Sequence, residues 1–247
     1  MKIIFLGTNG WYDTETGNTI CTLVQTERYD ILLDAGNGIH RAERYIDGGK
    51  PVFLFLSHFH VDHIEGLHIL MRLPFTKGLC ICGPAGSRGI LDIFLKEPFT
   101  LPLAALPYPA RILELPEEAA TLPFSVEVFP LHHSVFTLGF RISIDDRIVG
   151  YCPDTGYCEN AVTLGRSADI LITECAFKPG QSNERWPHLN PETAARIAGE
   201  AGAERLVLTH FDASLYRTLA ERSEAKKVAA GIFPAAEAGT DGLQILL

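Results

Sequence analysis

What the chain lacks narrows the field before any motif is read. Its 247 residues contain no run of about 18 uninterrupted apolar residues, so no segment is a candidate membrane-crossing helix. Positive charge is scarce. Lys and Arg total 21 against 30 Asp and Glu, a net charge of −9, and a protein that grips many phosphates would have to build its basic face locally. None of the six cysteines (Cys21, Cys80, Cys82, Cys152, Cys158 and Cys175) has the paired C-x-x-C spacing of a zinc finger, and they read as reduced thiols. Cys80 and Cys82 alternate along "LCICG", which suits buried packing. Repeats and low-complexity tracts are absent. The opening "MKIIFLGTNGW" has one lysine and four apolar residues before a Gly-Thr-Asn-Gly turn. That is too short for a signal-peptide core, and the expected location is the cytoplasm.

What is present is a dense series of short strand-like runs: "KIIFLG", "TICTLVQT", "YDILLDAG", "PVFLFLSH", "LCICG", "RILEL", "FSVEVFPL", "GFRISI", "RIVGYC", "ILITECA", "RLVLTH" and "LQILL". Helical periodicity is confined to 64–73, 89–97, 191–202 (with Pro191 at a first helical position) and 214–231. Strands in two sets with helices between them predict an α/β four-layer αββα sandwich of two mixed β-sheets. The proline-rich stretch 97–112 reads as a loop packed on the body, so residues 1–247 are expected to form a single domain.

One segment is unlike the rest. "FLSHFHVDHIEGL" places His58, His60, Asp62 and His63 within six positions, directly after an apolar strand. If the strand's alternation continues, His58 and His60 share a face, while Asp62 and His63 project from the start of the following helix. A packed core has no use for so many imidazoles and a surface loop rarely concentrates them. Two borderline metal ions do, with zinc favoured by imidazole and carboxylate donors and manganese or iron as alternatives.

H-x-H-x-D-H after a hydrophobic strand resembles the signature of the metallo-β-lactamase superfamily, and "FLGTNG" and "ILLDAGNG" look like the opening strands of its ribonuclease Z and phosphodiesterase branch. The resemblance implies three further ligands. A lone histidine falls in "FPLHHSVFTLGFRI", where the family's spacing to Gly139 selects His133 and leaves His132 to packing. The bridging aspartate is Asp154 in "YCPDTG", and the late histidine is His210 in "LVLTHFD". One metal would then be held by His58, His60, His133 and Asp154. The other would be held by Asp62, His63, His210 and the shared Asp154. Asp62 is counted as catalytic as well as ligating, and Asp34 in "LLDAG" as a partner orienting a ligand histidine. His40 and His68 read as structural.

The same branch uses a glutamate–histidine pair to protonate the leaving oxygen, and Glu174 ("LITECAF") and His188 ("WPHLNPETA") match it, although Cys175 and Leu189-Asn190 depart from the pattern. The implied function is a metal-dependent phosphodiesterase in which a hydroxide bridging two metals cleaves a small or cyclic phosphodiester. A tRNA 3′-processing endonuclease is the first alternative. It is disfavoured by the acidic charge and because "GFRISIDDRIVGYCPD" leaves no room for an RNA-gripping arm. A thioester or lactone hydrolase on the same fold is the second, and a scaffold that has lost its metals is opposed by the complete ligand set. The expected partner is a small phosphodiester, with RNA disfavoured and no membrane. A homodimer follows from the resemblance alone. Phe59, Phe136, Phe177, Trp186 and Phe211 flank the ligand segments as candidate pocket walls.

Overall fold

Alternation along the strands decides the architecture. In Lys2–Gly7, Ile3 and Phe5 point one way and Ile4 and Leu6 the other, yet all four are buried, so both faces of this strand are covered. The computed structural model, which describes residues 1–247, shows what covers them. Ile3, Phe5, Phe53 and Phe55 meet Phe140, Ile142, Ile170 and Ile172 of a second sheet in one cluster between the sheets. On the outer side Ile4, Leu6, Leu32 and Leu54 pack with Ile39, Leu67 and Leu91 of the helical segments Asn37–Arg44, Glu65–Arg72 and Ser87–Phe94. Beyond the second sheet, Leu171, Leu206 and Leu208 pack with Leu164, Ile197 and Ala225 of the helices Glu159–Leu164, Pro191–Ala201 and Leu219–Ile232. The result is the αββα sandwich that the strand pattern implies.

The first sheet has seven strands in the order Gln244–Leu246, Lys2–Gly7, Cys21–Gln25, Asp30–Leu33, Val52–Phe55, Leu79–Pro84 and Ala110–Leu115. The first four pair antiparallel and the last four parallel, Asp30–Leu33 being shared. The second has six, in the order Ala236–Ala238, Leu206–Thr209, Ile170–Glu174, Arg147–Cys152, Thr137–Ile144 and Ser125–Leu131, parallel up to Arg147–Cys152 and antiparallel after it. Pro130 sits in the terminal strand of this sheet, where a missing N–H costs no ladder bond. Parallel strands all end on the same side of a sheet, and that side is where such folds bind ligands.

Two helical stretches differ from their periodicity. Residues 64–73 were expected as one α-helix. The structure has an α-turn at Val61–Ile64 followed by a 3-10 helix at Glu65–Arg72. Gly66 causes the change: its N–H donates to the Ala35 carbonyl at 2.9 Å, and a Cβ there would lie 2.9 Å from that same oxygen, so the chain is pinned against a neighbouring loop. The helix expected over 214–231 starts only at Leu219, because Thr218 and Glu221 form a reciprocal capping box and Asp212 holds Ser214 and Leu215 in a separate turn. The stretch 97–112 is a packed loop only in part, since Leu103–Ala105 forms a 3-10 turn and the edge strand Ala110–Leu115 begins within it. No helix is long and apolar enough to cross a membrane.

Candidate metal centre

Strand Val52–Phe55 ends, and Leu56 N–H makes a last ladder-like bond to Cys82 O at 2.8 Å. Ser57 to His60 make no further ladder bond within this sheet, the Ser57 carbonyl accepting instead from Leu138 N of the second sheet at 3.0 Å, and His60, at φ −59° and ψ 145°, starts the turn Val61–Ile64. His58 and His60 thus lie beyond the strand, in extended backbone that keeps its alternation. Their rings stand 4.6 Å apart, and His63 from the turn lies 4.1 Å from His58. Three other strand ends deliver the rest: His133 follows Ser125–Leu131, Asp154 follows Arg147–Cys152, and His210 follows Leu206–Thr209.

Asp154 is the hub. Its Oδ2 lies 3.6 Å from His133 Nε2 and 3.9 Å from His58 Nε2, whereas Oδ1 lies 3.2 Å from Nε2 of both His63 and His210. Asp62 Oδ2 adds to the second group, 3.2 Å from His210 and 3.8 Å from His63. Ligand atoms of His58, His60, His133 and Asp154 all fall within 4.8 Å of one another, as do those of Asp62, His63 and His210. One carboxylate therefore shows an oxygen to each of two donor sets.

The donors fit divalent cations. His58 Nε2 and Asp154 Oδ1 are buried without a hydrogen-bond partner; Oδ1 is near two imidazoles but in line with neither. His63 and His210 face each other through Nε2 atoms 3.1 Å apart, and His133 Nε2 lies 3.4 Å from His60 Nδ1. Lone pairs at such distances repel unless a proton or a cation lies between them. Burial pushes His58, His60 and His133 down, keeping them neutral electron-pair donors. Burial acts on His63 and His210 too, but Asp154, with Asp34 and Asp62 beside His63 and Asp62 bonded to His210, more than offsets it and raises both. Despite burial, the surrounding histidines hold the Asp154 and Asp62 carboxyls well below the usual carboxylate range.

Around this hub several side chains are held by hydrogen bonds, whereas His210 Nδ1 is buried without a partner. Asp34, fully buried with φ 57°, accepts from Ser57 N (2.7 Å), Ser57 Oγ (2.8 Å) and Tyr151 OH (2.6 Å) and bonds His63 Nδ1 at 2.8 Å, which turns Nε2 towards Asp154. His133 Nδ1 bonds the Pro187 carbonyl at 3.2 Å. Glu174, the last residue of its strand, accepts from Thr155 N (2.7 Å) and Ala176 N (3.0 Å) and bonds His188 Nδ1 at 2.7 Å. Burial alone would lower His188, but the Glu174 carboxylate raises it to about 9. The His188 ring stacks on His210, its centroid 6.0 Å away, beside the Asp154 hub.

His132 stays outside the cluster: its backbone bonds Thr155 and Gly156, and its ring lies against Gly156. His40 and His68 bond their own local carbonyls, of Asn37 and Glu65. Of the flanking aromatics, Trp186 lines the cleft over the centre and Phe177 sets its edge against His188 at 5.6 Å. Phe211 is core, Phe59 packs beneath the first sheet, and Phe136 is exposed.

Four contributors were not legible from the motifs. Trp11, at φ 75°, donates its backbone N–H to Asp62 Oδ2 (2.7 Å). Gly10 admits the His210 ring, since a Cβ there would lie 2.5 Å from Cε1. Asp212 lines the cleft. Arg222 is fully buried and donates to Thr8 Oγ1 (2.7 Å) and Asn9 Oδ1, and Asn9 in turn binds the carbonyls of Tyr12 and Gly17, so one guanidinium ties down the loop that carries Gly10 and Trp11. The only sequence signal was the Thr-Asn-Gly turn itself.

The fold and the His/Asp cluster define a hydrolase of the metal-dependent kind. A family model described as the β-lactamase superfamily domain matches residues 29–211, and the chain belongs to that superfamily. It is 28% identical to the probable metallo-hydrolase YhfI of Bacillus subtilis, over 85% of this chain and 87% of that one. It is 27% identical to ribonuclease Z of Acaryochloris marina, with 85% and 86% covered. Among solved structures, YhfI superposes with TM-score 0.82 (24% identity, 99% and 98% covered) and the short form of human tRNase Z with 0.77 (23% identity, 100% and 99%). A diphosphatase of the PhnP family reaches 0.74 at 16% identity, with 100% and 97% covered.

Proposed function

We propose that this hydrolase is a dinuclear phosphodiesterase acting on small or cyclic phosphodiesters. His58, His60, His133 and Asp154 would hold one divalent ion and Asp62, His63, His210 and Asp154 the other. Zinc is the first choice for these donors, ahead of manganese or iron. Two ions so placed supply a nucleophilic water at neutral pH and charge stabilisation for an in-line displacement.

The observation that carries the reading is the Glu174–His188 pair, bonded at 2.7 Å beside the Asp154 hub. Glu174 keeps His188 protonated, and His188 passes that proton to the departing alkoxide. Diester cleavage needs such an acid because its leaving oxygen is poor. Opening a thioester, which releases a stable thiolate, largely does not. Glu174 is itself fixed by two backbone N–H groups, so it stays put while the proton moves. Asp34 and Trp11 N–H keep His63 and Asp62 aimed at the centre.

A tRNA-processing reading has the names of relatives in its favour, and the chain's length and hairpin against it. The alignment with the Acaryochloris ribonuclease Z runs over 273 residues, more than this chain possesses, so that relative carries segments with no counterpart here. Thr137–Ile144 and Arg147–Cys152 are joined by Asp145 and Asp146 alone, leaving no arm between them.

The test is a parallel assay of metal-loaded protein on bis(p-nitrophenyl) phosphate, an acyl thioester, a lactone and a precursor tRNA. Turnover of the diester alone is expected. Thioester or lactone turnover that exceeds it and survives His188→Ala would replace the proposal, and tRNA trimming would move it to the endonuclease reading.

A further inference from the structure

Trp11 and Trp186 are the only tryptophans of the chain, and both line the one cleft over the metal centre while remaining 66% and 47% exposed. Large aromatic rings normally go to the core. These two come from separate loops and flank different donor sets. Trp11 is anchored beside Asp62 through its backbone N–H, which leaves the indole free for a ligand. Trp186 stacks on His60 (5.7 Å, planes 17° apart) and meets His133 edge-on at 5.8 Å. A diester phosphorus near Asp154 would therefore send its two ester arms past one indole each.

Asp212 supplies a polar element in the same cleft. Its bonds from Ser214 N (2.7 Å), Ser214 Oγ (2.6 Å) and Leu215 N (3.3 Å) all end on Oδ1, leaving Oδ2 to accept from a ligand hydroxyl or amino group. A carboxylate here also repels a second phosphate, which opposes a polynucleotide passing through. The cavity of about 560 Å³ suits a ligand of mononucleotide size.

We propose that the substrate is a nucleoside phosphodiester no larger than a cyclic nucleotide or dinucleotide, its base stacked on Trp11 or Trp186 and its hydroxyl or amino donor on Asp212. Every base offers a π-face to an indole, so stacking selects for a base without selecting which one. Asp212 then favours an arm that carries donors and no further charge. The proposal rests on the phosphodiesterase reading for the phosphate between the arms, but its recognition elements are separate from the metal donors.

Because no other tryptophan exists, intrinsic tryptophan fluorescence reports on the cleft alone. Metal-loaded wild type, Trp11→Phe and Trp186→Phe are titrated with adenosine 5′-monophosphate and, separately, with ribose 5-phosphate. Saturable quenching by the nucleotide and none by the sugar phosphate is expected. Replacing the stacking indole by Ala should raise KM for cyclic nucleotide hydrolysis by about 5- to 150-fold with kcat little changed, and Asp212→Asn should raise that KM too. Equal quenching by both ligands would overturn base recognition in favour of sugar or phosphate binding. No quenching by the nucleotide, in protein that still hydrolyses bis(p-nitrophenyl) phosphate, would sink the nucleoside proposal and leave the phosphodiesterase standing. Quenching without any diester hydrolysis would do the reverse.

Discussion

Replacing Glu174 by Gln isolates the acid from the metals. The carboxylate bonds His188 at 2.7 Å and lifts it from the ordinary imidazole value of 6.5 to about 9. The shift corresponds to roughly 3 kcal/mol of interaction with the charged imidazole. Because the folded value is raised, this interaction is fully present below about pH 6.5 and is lost as the pH rises through 9. With Gln the charge is gone and burial alone pushes His188 to or below its ordinary value. At pH 8 the protonated fraction of His188 then falls, a loss of acid that comes before any loss of orientation. The assay compares two diesters on metal-loaded wild type and variant, so that any bound cation acts on both alike. A cyclic nucleotide departs as an alkoxide and needs the proton; bis(p-nitrophenyl) phosphate departs as a stabilised phenolate and does not. The cyclic substrate should slow by about 10²- to 10⁴-fold and the aryl diester by less than about tenfold. Equal slowing of both would refute the general-acid role and make Glu174 a structural residue.

Three further substitutions probe the frame. Gly10→Ala puts a methyl 2.5 Å from His210 Cε1, so His210 must swing away; metal analysis should show loss of the ion on the Asp62 side first, with about 1–3 kcal/mol lost from the denaturation midpoint. Asp34→Asn offers an amide where Ser57 N, Ser57 Oγ, Tyr151 OH and His63 Nδ1 all converge, and metal affinity measured by competition with a chelator should drop about 10- to 100-fold. Arg222→Met removes the buried clamp on Thr8 and Asn9, and is expected to cost about 2–4 kcal/mol of stability and to speed amide exchange at Trp11 more than in the strands.

The legible part of the site was the part that is local in sequence. His58, His60, Asp62 and His63 lie within one strand end and one turn, where backbone periodicity alone says which side chains converge. His133, Asp154 and His210 sit alone in their segments, and only the superfamily's pattern picked them out; Asp154 by itself reads as a turn residue. Trp11 and Asp212 have no local signature, and Gly10 has only that of a turn, since their roles arise from folding a loop after the first strand against a turn some fifty residues later and a strand end two hundred residues later. Arg222 looked like one more charge on a helix, and only the tertiary packing shows that it is buried. The sandwich was legible because short, nearly continuous apolar runs recur as strands in two sets with helices between them, as strands covered on both faces require, whereas the 3-10 segment Glu65–Arg72 was misread as α-helix because a 3.6-residue apolar period cannot reveal that Gly66 is held against Ala35.

The most direct test of the central claim is metal stoichiometry coupled to turnover. The protein is stripped with chelator, titrated with zinc or manganese, and followed by elemental analysis and bis(p-nitrophenyl) phosphate hydrolysis in the same samples. The account predicts two ions per chain, with activity restored as the second binds, and no second ion in Asp154→Ala. Two ions bound with no diester hydrolysis under either metal would contradict it.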